Sequence, residues 1–65
     1  MHKLNIRFYR EKKGMTRAEL GAAVGVSEYE IKAYEGGFES PKLDTFLAIA
    51  EALDVTPYDL AKGWD

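Results

Sequence analysis

The sequence predicts an all-α fold, a compact bundle of five short helices around one core. Three observations predict it. Apolar residues recur at helical rather than alternating spacing, Gly and Pro fall between the apolar segments, and three segments open on a Ser or Thr placed to cap a helix. The first helix is expected over about Leu4–Lys13. Ile6, Tyr9 and the stems of Arg10 and Lys13 share one of its faces, and Gly14 is its stop.

The second and third helices occupy Thr16 to Glu35, TRAELGAAVGVSEYEIKAYE. Thr16 with Glu19, and Ser27 with Glu30, both fit the S/T-x-x-E capping box. In that motif the hydroxyl accepts from an orphan backbone N–H, and the glutamate reaches back to the cap residue. Gly25 lies between them, where the chain reverses and a Cβ would obstruct positive φ. Leu20, Val24, Val26, Ile31 and Tyr34 point two amphipathic faces at one seam, and Gly21 offers a small side for close approach. The third helix ends at Gly36–Gly37. Together these features outline a helix-turn-helix, a unit that presents its second helix to a DNA groove.

The fourth helix is expected over about Leu43–Leu53, with Leu43, Phe46, Leu47, Ala50 and Leu53 on its buried face and Pro41 restricting its entry. The fifth opens at Thr56-Pro57, an N-cap followed by proline at the first helical position, with Asp59 near the positive helix end. It runs through Leu60 to about Lys62, and Gly63 ends it.

The 65 residues are read as one domain over 1–65. A chain of this size buries about 60% of the surface its unfolded form exposes, which leaves room for one core and little for an enzyme pocket. It contains no cysteine, so neither disulfides nor thiolate metal sites reinforce it, as suits a reducing cytoplasm. No apolar run approaches the roughly 18–20 residues of a membrane span. His2 is the sole histidine, Asp54 and Asp59 lack metal-loop spacing, the glycines form no phosphate cradle, and no motif supplies Ser27 or Ser40 with a base. The expectation is a cytoplasmic protein with no enzyme activity, no cofactor, no metal, no membrane contact and no small-molecule ligand.

Net charge is −2, unlike the basic excess of most nucleic-acid-binding domains. Its distribution is uneven. Residues 1–20 carry Lys3, Arg7, Arg10, Lys12, Lys13 and Arg17 against Glu11 and Glu19, a balance of +4; the remainder carries Lys32, Lys42 and Lys62 against nine acids, a balance of −6. Such segregation leaves either a local positive patch or an ordinary solvated surface.

In order along the chain, IRFYREKKGMTRAEL, VGVSEYEIKAYEGG and LDTFLAIAEALDV together resemble the phage repressor and Cro class of helix-turn-helix domain, often called the XRE family. The resemblance covers nearly the whole chain and implies a lambda repressor-like DNA-binding domain. By that similarity the recognition helix is about Ser27–Glu35. Ser27, Glu28, Tyr29, Lys32 and Ala33 would face the major groove, while Ile31 and Tyr34 face the core. Arg17 stands where the family usually has a glutamine that holds a phosphate, and arginine adds a full charge there. Lys42, with Arg7 or Lys13, is a further phosphate-contacting candidate. Arg10 and Glu35 match a structural ion pair of the family.

Departures from the pattern are concentrated on the exposed side. Glu28 and Glu30 bring negative charge toward a polyanion, and Glu39 adds more in the next loop. Glu30 is accounted for as a capping partner, and Glu28 either favours the helix N-terminus or accepts from the exocyclic amine of cytosine. Tyr29 and Ala33 suit a thymine methyl, yet no Arg, Gln or Asn offers bidentate readout. Phe8, Phe38 and Trp64 are read either as edges of a small core or as contact surface. Tyr58, Leu60 and Trp64 are the candidates for a homodimer interface. Two functions follow: a DNA-binding transcription regulator acting as a dimeric repressor on double-stranded DNA, or a protein-interaction module on the same scaffold, such as an antitoxin with a protein partner.

Overall fold

The five expected helices form in order: α1 Ile6–Lys12, α2 Arg17–Val24, α3 Glu28–Gly36, α4 Leu43–Ala52 and α5 Pro57–Ala61. They come from a computed structural model that describes residues 4–62. The helices run from five to ten residues, below the roughly 12–15 at which isolated helices become marginally stable. Their ends are accordingly well tied. Thr16–Glu19, Ser27–Glu30 and Thr56–Asp59 all close reciprocal capping boxes. Gly25 and Gly37 end α2 and α3 in the left-handed region, at φ 84° and 79°.

Boundaries shift slightly from expectation. Helix α1 starts at Ile6 because Asn5 is drawn outward: its backbone N–H donates to Leu60 O at 2.8 Å, and its Nδ2 donates to Lys62 O. The two ends of the described chain are thereby stitched together. Helix α5 stops at Ala61, with Lys62 already extended. Gly63, expected to end α5, lies outside the described residues.

Ile6, Leu20, Ile31, Tyr34, Ile49, Ala50, Leu53 and Leu60 form the core, with all five helices contributing. Helix α2 sits at its centre, packed against α3 and α4; α1 leans on α3, and α5 on α4. The α2–α3 approach is close because Gly21 has no side chain. A Cβ there would stand 2.6 Å from Val26 O, and the Gly21 carbonyl accepts from both Gly25 and Val26 N–H.

Three apolar residues are reassigned. Leu43, at the first position of α4, is 72% exposed, and Leu47 is 45% exposed. Helix α4 is apolar on more than one side, and the row that reaches the core is Phe46, Ile49, Ala50 and Leu53. Conversely, Leu60 is fully buried, so it belongs to the core and not to a subunit interface. Tyr58 is 71% exposed and stays available for one. Trp64 lies outside the described residues.

Gly21→Ala should force the backbones of α2 and α3 apart and cost about 1–3 kcal/mol, as overpacking does. Urea denaturation checks this, and an unchanged midpoint would refute the close-approach role. Acid sensitivity should follow from two carboxyls held below their usual range. Asp54 is lowered by the hydrogen bond and charge of Lys13, and Asp59 by hydrogen bonds from the Thr56 backbone and side chain and by Lys62. Their stabilisation is present above the unfolded-state value of about 3.9 and is lost as pH falls through the lower folded values. The melting temperature should drop on acidification below about pH 4, less steeply in an Asp54→Asn/Asp59→Asn double variant.

Candidate nucleic-acid interface

Helix α3 turns one face inward and one outward. Ile31, Tyr34 and Glu35 are buried, while Glu28, Tyr29, Lys32 and Gly36 form an exposed strip, with Ser27 exposed at its head. Tyr29 is 71% exposed. The Ser27 hydroxyl accepts from Glu30 N–H at 3.0 Å, and the Glu30 carboxylate accepts in turn from Ser27 N–H at 2.9 Å. The hydroxyl proton of Ser27 is thus free to donate outward.

One residue of the expected groove-facing set is corrected. Ala33 is only 5% exposed, because the chain leaving α3 folds back over that side. Phe38 N–H and Glu39 N–H both donate to the Ala33 carbonyl, at 2.9 and 3.3 Å. The outward set is therefore Ser27, Glu28, Tyr29 and Lys32.

Beneath α3 lies an ion-pair cluster. Arg10 Nε meets Glu35 Oε2 at 2.6 Å, with side-chain exposures of 8% and 4%. Arg10 Nη1 also donates to the Met15 carbonyl at 2.8 Å. The Arg10–Glu35 pair is as expected. Arg17 joins it, its Nε donating to Glu35 Oε1 at 2.9 Å. Nothing in the spacing of the sequence reveals this partner, and the family resemblance directs Arg17 to a phosphate instead. The two roles are compatible: two guanidinium groups share one carboxylate, which leaves a positive excess, and Arg17 is the outer of the two at 33% exposure.

Arg17 opens onto a cleft of about 210 Å³ bordered by Arg7, Lys32, Glu35, Gly36 and Phe38. Arg7 is held by Glu11 one helical turn away, at 3.0 Å, and this contact raises its pKa further above the ordinary arginine value. Lys32 belongs both to the exposed strip of α3 and to this cleft, so strip and cleft are continuous. Lys42 sits apart at the N-cap of α4, exposed, with no ion-pair partner among the described residues.

Lys13 is not brought to this site. Its ammonium is bound to Asp54 at 2.6 Å and lines a different cleft, with Tyr9, Lys12, Leu53 and Val55. Asp54 occupies the left-handed region at φ 59°, a conformation its short polar side chain tolerates better than most. Lys13 thus serves to join the end of α1 to the α4–α5 turn. Among the described residues no group of acids or histidines is arranged to hold a metal, and no helix is long and apolar enough to cross a membrane.

A helix-turn-helix whose second helix carries an exposed strip beside a cationic cleft defines the class, and comparison with known proteins agrees with it. The chain belongs to the helix-turn-helix family, whose model matches residues 6–60. Among the curated proteins, none matches it significantly by sequence. Among solved structures, it is similar to the P22 c2 repressor bound to a synthetic operator, at 37% identity and a TM-score of 0.86, over 91% of this chain and 89% of that one. It is similar to SinR, the master regulator of biofilm formation, in complex with DNA (26% identity, TM-score 0.78, 86% and 90% of the two chains). A SinR/SinI protein complex also matches, at 25% identity and a TM-score of 0.81, over 89% of this chain and 57% of that one. These matched proteins are regulators rather than enzymes.

Glu35→Gln should cost about 3–5 kcal/mol, because it leaves two guanidinium groups, one of them buried, without their counter-charge. Chemical denaturation measures it, and a loss below about 1 kcal/mol would show that the cluster does not hold the three helices together.

Proposed function

We propose that this protein is a DNA-binding transcription regulator that acts as a repressor, with α3 in the major groove of a duplex. The observation that carries it is the continuity of the α3 strip with the Arg7–Arg17–Lys32 cleft. The likeness to the P22 c2 repressor and SinR, both solved with DNA, supports the DNA-binding part of this reading. Ser27, Glu28 and Tyr29 stand in and before the first turn of α3, the part of a recognition helix that meets base edges. Glu28 suits the exocyclic amine of cytosine, Tyr29 a thymine methyl or a polar edge, and Lys32 a guanine or a phosphate. Arg7, Arg17 and Lys42 hold phosphates.

One α3 covers few base pairs. A two-fold dimer on a near-palindrome follows, with half-sites roughly one helical turn (~34 Å) apart. Exposed Tyr58 is the described candidate for the subunit contact. A second reading, a module that binds another protein, draws on the exposed apolar Leu43, Leu47 and Tyr58 and on the likeness to a SinR/SinI complex.

In vitro selection from a random-site duplex pool at low salt separates the two. Recovery of a recurring near-palindrome supports the regulator, whereas no retention above about 10⁻⁴ M, the weak end of non-specific binding, favours the protein-binding module. Arg17→Ala should weaken binding to all duplexes and reduce the log–log salt slope by about one. An unchanged slope would remove Arg17 from the phosphate contacts.

A further inference from the structure

Phe38 is 80% exposed, the most exposed large apolar side chain among the described residues. Alone this means little, since folded proteins expose many single apolar side chains. Two further features set it apart. Its ring is seated on Gly36: a Cβ on that residue would lie 2.7 Å from both Cδ2 and Cε2 of the ring. The same ring walls the cleft that Arg7, Arg17 and Lys32 line. An apolar ring therefore stands beside three cations suited to phosphate.

Its position along the helix selects its target. The base-facing residues stand at the N-terminal turn of α3, and Phe38 follows the C-terminal end, where its N–H returns to the Ala33 carbonyl. A recognition helix meets base edges with its N-terminal residues, so the far end lies toward the sugar–phosphate strand. Between successive phosphates that strand offers the apolar carbon faces of deoxyribose. We propose that Phe38 is a DNA-backbone contact, its ring lying against deoxyribose of the strand whose phosphates Arg7, Arg17 and Lys32 hold. The inference rests on the DNA-binding reading above. It adds a term that salt does not screen, because apolar burial, unlike a lysine–phosphate contact, releases no counterions.

The test is a salt series on the full chain with the selected duplex and with a scrambled one. Phe38→Ala should bind both about five- to tenfold more weakly, as expected for losing part of an aromatic face, with the log–log salt slope unchanged. Gly36→Ala gives an independent check. Gly36 is helical and not in the left-handed region, so alanine suits its backbone while displacing the ring. It should weaken binding similarly with no fall in melting temperature. Wild-type affinity in Phe38→Ala overturns the inference while leaving the DNA reading intact. A loss in Phe38→Ala accompanied by a shallower slope also overturns it, because the loss then belongs to disturbed cations. A wild-type chain that retains neither duplex overturns both.

Discussion

The carboxylate of Glu35 is surrounded by the first three helices, and the helix-turn-helix is held in place through it. Arg10 reaches it from α1 and Arg17 from the start of α2, while Glu35 itself lies in the last turn of α3. Desolvating an ion pair costs several kcal/mol per charge, and the attraction offsets this only when geometry is good and the remaining donors and acceptors are met. Here both carboxylate oxygens accept, and Arg10 also binds the Met15 carbonyl in the turn leaving α1. A hydrophobic triad of similar volume could hold the helices as well. It would not leave a guanidinium at the mouth of a cleft. The cluster therefore does two things at once: it fixes the angle of α3, and it presents Arg17 with its orientation already set.

Around that cluster, the short helices are supported by their ends and by one close contact. Three reciprocal capping boxes satisfy N–H groups that such short helices would otherwise leave unpaired. Gly21 lets the α3 entry approach the α2 backbone, and this brings Ile31 and Tyr34 down onto Leu20. A side chain at Gly21 would lift α3 and with it Glu35 away from Arg10. Packing and electrostatics are thus coupled through one missing methyl group.

Much of this is legible in the sequence. Capping boxes are local motifs, and glycine at a reversal has one dominant physical meaning, so the helix order, the Gly25 turn and the inward Ile31 and Tyr34 all follow from residue type and spacing. The Arg10–Glu35 pair comes from family resemblance and not from spacing. What is not legible depends on three-dimensional surroundings. Leu43 and Leu47 fit a helical period, but α4 is apolar on several sides, and only its neighbours decide which row is buried. Ala33 follows Tyr29 by one turn and should share its exposure; the returning backbone of Phe38 and Glu39 covers it. Leu60 looks like any terminal apolar residue until Asn5 draws α5 onto the start of α1. Phe38 offers only a weak signal, an aromatic outside any helical period directly after two glycines.

The acidic net charge becomes intelligible once the acids are placed. Glu19, Glu30 and Asp59 are committed to capping boxes, Glu11 to Arg7, Asp54 to Lys13, and Glu35 to two arginines at once. An acid bound to a backbone N–H or a guanidinium projects less field toward an approaching duplex than a free one, because its partner's charge or dipole opposes it. Lys32 and Lys42, by contrast, have no ion-pair partner among the described residues, and Arg17 shares its carboxylate with Arg10. Across the cleft the local sign is positive although the chain is negative. Glu28 and Glu39 are the exposed exceptions on the α3 side. Glu28 lies in the first turn, where the helix N-terminus partly compensates its charge. A carboxylate there raises the cost of lying against phosphate and lowers that of meeting a cytosine amine. In the proposed complex, such a surface would discriminate by where it tolerates a duplex rather than by how strongly it attracts one.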